Sequence, residues 1–259
     1  MKSKRRKTNP LTKKASRGLR GYPVHDQAEY NIRFEWGERG VSLLAPISDV
    51  VIIVDVLSFS TAVEIATNQS AIVYPYRWKD ASVHEFAKSV RAEVADGNNQ
   101  NGYSLSPASL LKLPPDIRLI LPSPNGSYLS LPTGTTPTIA GCLRNCRAVA
   151  EASMDGAKNI AVIGAGEQWE DGTLRPCIED MIGAGAIISF LGGGLSPEAE
   201  TAQAAFEGAS SKLGEQIKNC ISGREKSARG EERDIELASN IGISHCVPIL
   251  RDGAFRKRD

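Results

Sequence analysis

The sequence predicts an α/β protein: a three-layer α/β/α sandwich around a mixed, largely parallel central sheet. Three observations lead there. Compact apolar runs rich in Val and Ile recur at residues 50–57, 71–76, 117–121 and 159–163, with the composition of strands buried on both faces. Stretches with helical spacing separate them, so strand and helix alternate along the chain. No linker or change of composition divides residues 21–259, which read as a single domain without internal repeats.

Residues 30–36 alternate like a half-buried strand, and Gly37 and Gly40 then mark a turn. The next run, Val-Val-Ile-Ile-Val-Asp-Val-Leu at 50–57, is a buried strand with one carboxylate, Asp55, near its carboxyl end. A helix over about 60–67 follows, with Thr61 and Glu64 in capping-box spacing. Residues 71–76 read as a strand, 81–89 as a helix and 96–102 as a polar, Asn-rich loop. The strand at 117–121 ends in Pro122-Ser123-Pro124-Asn125-Gly126-Ser127, 138–140 is a brief strand, and 145–154 is a helix stopped by Gly156. Strand 159–163 runs into Gly164-Ala165-Gly166-Glu167, and Pro176 opens a helix with Glu179 and Asp180 in its first turn. Ser196-Pro197 starts another helix, 212–220 is helical, 222–233 is charged and irregular, 235–240 is a short helix, and 246–250 is the closing strand.

Composition narrows the class. Residues 1–20 hold nine Lys or Arg and no acid, which leaves 22 basic and 30 acidic residues in the remainder. This arm lacks the apolar core of a signal peptide and reads as a solvated, disordered tail. No window approaches the ~18 consecutive apolar residues of a membrane span. Five cysteines, an odd number without short-domain spacing, point to reduced thiols in the cytoplasm. Cys142 and Cys146 lie four apart on the helix at 145–154 or just before it, but no His is near them, so they read as buried apolar thiols.

Ligands in open α/β sheets gather beyond the carboxyl ends of the strands, and three loops here are expected to share that edge. At the first, Asp55 precedes Ser58, Ser60 and Thr61 at a helix start, a pattern suited to a phosphate and a magnesium ion; its alternative is a strand-closing carboxylate that caps the turn. The second is 123–127, where Asn125 and Gly126 either cradle a phosphate or make a type I′ hairpin turn. The third brings Glu179 and Asp180 to a helix start, where acids also favour the dipole without any further role. The Gly164-Ala165-Gly166 loop lacks the third glycine of a dinucleotide fingerprint, and no phosphate-binding Gly-x-x-x-x-Gly-Lys loop, nucleophile elbow or Cys-x-x-Cys pair occurs. His25, His84 and His245 fall in unrelated contexts, which disfavours a histidine-centred mechanism.

Taken together and in order, Asp55-Val56-Leu57-Ser58-Phe59-Ser60-Thr61, Ser123-Pro124-Asn125-Gly126-Ser127, Leu143-Arg144-Asn145, Glu179-Asp180 with Gly183-Ala184-Gly185-Ala186, and Asp234 before Val247-Pro248 resemble the 2-phosphosulfolactate phosphatases over about residues 30–255. The resemblance implies a cytoplasmic, Mg²⁺-dependent hydrolase that releases phosphate from 2-phospho-3-sulfolactate on the route to coenzyme M. It implies Asp55, Glu179 and Asp180 at the metal, with Asp234 beside them in metal binding or in orienting the attacking water. Asn125, Gly126 and Ser127 are then expected to cradle the phosphoryl group, supported by Ser60, Thr61, Arg144 and Asn145. One departure stands out: the family pattern usually has an Arg after Asp-Val-Leu, and this chain has Ser58. A guanidinium matches phosphate or sulfonate well, so its loss bears on the substrate more than on the fold. Arg144, Arg224 or the magnesium ion are the expected substitutes. The expected partner is a small anionic phosphoester, with a homodimer as the assembly considered. The rival readings are a non-catalytic relative that binds an anionic ligand, and a nucleic-acid-associated protein using the basic arm.

Overall fold

The structure, a computed structural model, describes residues 25–77, 80–97 and 101–258. The basic arm and part of the Asn-rich loop lie outside the described residues. The chain opens with β1 (Ile32–Trp36), α1 (Gly37–Leu44), β2 (Val50–Val54), α2 (Phe59–Asn68), β3 (Ile72–Tyr76), α3 (Ser82–Val90) and β4 (Glu93–Val94). Next come β5 (Arg118–Pro122), α4 (Gly126–Ser130), β6 (Thr138–Gly141), α5 (Cys146–Ser153), β7 (Ile160–Gly164), β8 (Glu167–Gln168) and β9 (Leu174–Arg175). It ends with α6 (Ile178–Ile188), α7 (Pro197–Ala209), α8 (Leu213–Asn219), α9 (Ile221–Ala228), α10 (Glu232–Ala238), β10 (Pro248–Arg251) and β11 (Ala254–Lys257).

Among the described residues nine strands make one sheet in the order β1-β7-β2-β6-β10-β11-β3-β5-β4, and helices cover both faces in a three-layer sandwich. β8 and β9 form a separate antiparallel ribbon. β2, Val-Val-Ile-Ile-Val, is fully buried because parallel neighbours β7 and β6 flank it while helices cover its two faces. One face packs Val50, Ile52 and Val54 against α5 and α6, and the other packs Val51 and Ile53 against α1 and Leu129 of α4. The sheet is two parallel blocks, β1-β7-β2-β6 and β3-β5-β4, joined through the antiparallel hairpin β10-β11. Three successive antiparallel steps reverse the strand direction between the blocks. Twist of roughly 20–25° per strand accumulates to about 100–125° between β2 and β5 and brings the loops at their carboxyl ends together.

Four local readings change. Gly37 and Gly40 belong to α1 rather than to a turn: Gly37 takes φ +57° to leave the strand, and a Cβ on Gly40 would stand 2.8 Å from Glu35 Cβ. Thr61 and Glu64 form no capping box, because the helix starts at Phe59 and Glu64 instead pairs with Arg144. Residues 222–233 are largely helical, in α9 and the start of α10, since their charges pair with one another: Lys226 reaches Glu231 and Asp234. The closing strand continues into a hairpin whose second arm, β11, buries Phe255 against Phe59.

Helix α6 carries the small-residue run Gly183-Ala184-Gly185-Ala186 for reasons of space. A Cβ on Gly183 would come within 2.6 Å of Val56, and one on Gly185 within 1.9 Å of the Ala202 carbonyl oxygen in α7. Gly185→Ala is therefore expected to cost about 1–3 kcal/mol in chemical denaturation by forcing α6 and α7 apart. Gly208→Ala in α7, with open space around it, is expected to be neutral or stabilising by up to about 1 kcal/mol.

Candidate active site

The loops after β2, β5 and β7 converge on two buried carboxylates. Asp55 follows β2, and its Oδ1 accepts the Phe59 backbone N–H at 3.1 Å while its Oδ2 accepts the Gly126 N–H at 2.9 Å. Asp180, in the first turn of α6, accepts the Val56 N–H with Oδ1 and the Gly166 N–H with Oδ2, both at 2.8 Å. The first carboxylate ties the β2 loop to the β5 loop, and the second ties the β2 loop to the β7 loop. Two glycines make this possible. A Cβ on Gly126 would sit 2.3 Å from the Phe59 ring, and Gly166 takes φ +66° with the Arg175 backbone pressed against it. Asn125-Gly126 is thus neither a hairpin turn nor a free phosphate nest: Gly126 starts α4 and its N–H serves Asp55.

Asp55 borders a cavity of about 780 Å³, and Asp180 lies outside its lining. Asp55, Ser58, Asn125 and Glu167 face it from the loops of the two blocks. Lys226 and Arg229 face it from α9 and its carboxyl end, and Asp80, His84, Asp96 and Glu231 add to its polar lining. Glu167 Oε2 accepts the Asn125 side-chain N–H at 2.9 Å, a bond that separates this cavity from a second cleft of about 460 Å³ beside Trp36 and Tyr128.

Acid crowding dominates the electrostatics. Burial, reinforced by the Glu167 and Glu179 carboxylates, pushes Asp55 up to about 7 in spite of its two backbone N–H partners. Burial first, and Asp55 and Glu179 next, hold Asp180 well above the usual carboxylate range. Burial also raises Glu167, against the pull of Asn125 and Arg175. Five carboxylates and two permanently cationic side chains line the cavity among the described residues, so an anion enters it favourably only with added positive charge.

Other residues anticipated from the sequence are framework. Ser60 Oγ donates to the Ile53 carbonyl and accepts the Asp55 N–H, Thr61 Oγ1 donates to the Val56 carbonyl, and Ser127 Oγ donates to the Leu121 carbonyl. Asn145 bonds the Cys142 N–H and the Ala140 and Cys246 carbonyls, which pins the start of α5 to the chain entering β10. Arg144 is committed to Glu64 and the Leu237 carbonyl, with Ser244 on the other Glu64 oxygen. None of these five lines the cavity. Glu179 is buried behind Asp55 and Asp180, where it hydrogen-bonds the Cys220 thiol. Asp234 stands apart from the acids around Asp55: it accepts from Ser106 Oγ at 2.6 Å, the Ala108 N–H at 2.9 Å and Lys226 Nζ at 2.9 Å. Glu167, Lys226 and Arg229 are among the cavity residues that sequence reasoning missed. Glu167 follows the strand 159–163 directly and is the readable one, whereas Lys226 sits in a charged stretch with no distinguishing pattern.

A family model described as 2-phosphosulpholactate phosphatase matches residues 42–253, a span that includes every residue at this convergence. The chain belongs to the 2-phosphosulpholactate phosphatase family. That family comprises phosphoric monoester hydrolases. A protein named 2-phosphosulfolactate phosphatase from Methanothermobacter thermautotrophicus strain Delta H is 27% identical over 212 residues, covering 80% of this chain and 88% of the relative. Among the described residues no helix is long and apolar enough to cross a membrane, and all five cysteines are free and buried.

The raised Asp55 and Asp180 carboxyls predict how stability responds to pH. Each binds its proton more tightly folded than unfolded, so from about 4 upward, and for Asp55 as far as about 7, the folded form keeps protons that the unfolded chain has released. This proton-linked stability is present at the low end of that window and is lost as pH rises through it. The melting temperature of the protein in EDTA should therefore carry a component that falls between about pH 4 and pH 7, and that component should shrink in Asp55→Asn.

Proposed function

We propose that this chain is a Mg²⁺-dependent phosphatase acting on a small acidic phosphoester in the Asp55 cavity. The reaction it resembles is the conversion of 2-phospho-3-sulfolactate to 3-sulfolactate and phosphate, the activity in the name of the relative. The observation that carries the reading is the Asp55 carboxyl, raised to about 7 by burial and acidic neighbours, facing the cavity of a chain whose family is a phosphatase family.

The donor set fits magnesium. It offers hard carboxylate oxygens in excess of the cations around them, which is the charge pattern a divalent ion relieves. No group of three or more His, Cys, Asp or Glu side chains is arranged as a metal cage among the described residues. Mg²⁺ sites of one or two carboxylates completed by water and substrate oxygens need no such cage. Asp55, facing the cavity from the converging loops, would hold the ion with water and substrate oxygens; Asp180 and Glu179, buried beside Asp55, would keep the local potential negative. When bound, the ion would polarise the phosphoryl oxygens and offset their charge.

The protein's own groups supply positioning and proton handling. The Asn125 amide, fixed by its bond to Glu167, retains a second N–H for a phosphoryl oxygen. A Glu167 carboxyl raised above its ordinary value by burial is a stronger acceptor for the proton of an attacking water than an ordinary carboxylate. Gly126 and Phe59 hold the Asp55 carboxylate in one orientation, so its free lone pairs point consistently. The hydroxyls of Ser60, Thr61 and Ser127 keep the loops rigid rather than touching substrate.

Phosphate release from 2-phospho-3-sulfolactate and from p-nitrophenyl phosphate, with Mg²⁺ and with EDTA, tests this reading. Activity should appear only with the metal. Asp55→Asn should lower it by about a hundredfold or more while circular dichroism shows the fold retained. Metal-independent turnover, or full activity in the folded variant, would remove Asp55 and Mg²⁺ from the mechanism.

A further inference from the structure

The cavity has a second pole that the acids around Asp55 leave unused. Lys226 lies in α9, is 7% exposed, and faces the cavity with Arg229 just beyond the end of that helix. Its Nζ donates to Glu231 Oε2 at 2.7 Å and to Asp234 Oδ2 at 2.9 Å. An ammonium has three donors, and no hydrogen bond among the described residues occupies the third. Asp234 is itself immobilised, because its other oxygen accepts from both Ser106 and Ala108 at the turn following the Asn-rich loop. Glu231 also accepts from Arg229 Nε at 3.3 Å, so one acid orients both cations.

A buried ammonium held by two carboxylates is an expensive arrangement, and replacing such a group by an apolar side chain is commonly neutral or stabilising. Stability alone therefore gives little reason for a Lys at this position. Its place on a cavity wall does. Lys226 and Arg229 are the permanently cationic lining groups among the described residues, while Asp55, Glu167 and Asn125 come from separate loops of the sheet. A ligand whose phosphoryl group sits at the Asp55 loops and that carries another anionic group would meet these two cations with that second group.

Building on the phosphatase reading, we propose that Lys226, assisted by Arg229, is the specificity-determining residue that binds a second anionic group of the substrate, a sulfonate remote from the phosphoester. Asp234 and Glu231 are positioning residues that act through it. This arrangement supplies from α9 the positive charge that Ser58 cannot supply from the β2 loop.

The test compares 2-phospho-3-sulfolactate with 2-phospholactate, which differ only in the sulfonate, using the full-length protein with Mg²⁺. Lys226→Met alone would leave the buried Asp234 carboxylate without its cation, so it is combined with Asp234→Asn, and Arg229→Ala serves as a second variant at a largely exposed side chain. In Lys226→Met/Asp234→Asn the ratio of kcat/KM values should shift against the sulfonated compound by about ten- to a hundredfold, mainly through KM. Arg229→Ala should shift it in the same direction by less. Parallel losses for both compounds, with the ratio unchanged, would show that Lys226 is structural and overturn the proposal. Should the unaltered protein hydrolyse neither compound, the phosphatase reading fails and calorimetric binding of 3-sulfolactate against lactate decides the inference. A preference for 3-sulfolactate that the double variant loses supports it, and the absence of any preference overturns it.

Discussion

The hydrogen bonds from the Phe59 and Gly126 backbone to Asp55 are the interaction on which the rest of the site depends. β2 and β5 belong to blocks of opposite strand direction, and nothing in a parallel ladder brings their loops together. Twist brings them close, and one carboxylate joins them. Asp180 repeats the device between the β2 and β7 loops, so both acids close the framework and also charge it. A carboxylate that accepts two backbone N–H groups ordinarily becomes more acidic. Here burial and crowding outweigh those bonds, which is why Asp55 moves up rather than down.

This balance separates two reasons for burying an acid. An acid that holds other groups in place is most stable when its charge is compensated by donors or a cation, as Asp234 is by Lys226, Ser106 and Ala108. Asp55 is under-compensated and faces solvent space inside the protein, and perturbed carboxyls in clefts are the usual mark of a working site. The same chain therefore contains a satisfied acid and an unsatisfied one. The difference between them lies in what surrounds them rather than in their sequence context.

The α/β class, the buried β2 strand and the lone acid that follows it were legible in the sequence because each rests on local composition: a β-branched run broken by a single acid. Asn125 and Gly126 were legible as a feature, but their geometry was not, since an Asn-Gly pair reads as a turn unless a distant carboxylate takes the glycine N–H. Hydroxyls were the least readable groups. Ser60, Thr61 and Ser127 carry the same local signal whether they face a ligand or bond back to a backbone carbonyl, and all three do the latter. Arg144 and Glu64, 80 residues apart, find each other only in the folded chain, as do Lys226 and the cavity it faces.

The most direct test of the account is a crystal structure grown with Mn²⁺, which stands in for Mg²⁺ and scatters anomalously, together with inorganic phosphate. The account predicts an anomalous peak about 2.1 Å from an Asp55 carboxylate oxygen, with phosphate bound to the ion inside the cavity. An ion seated away from Asp55, or a cavity that binds neither ion nor phosphate while the protein remains folded, would contradict it.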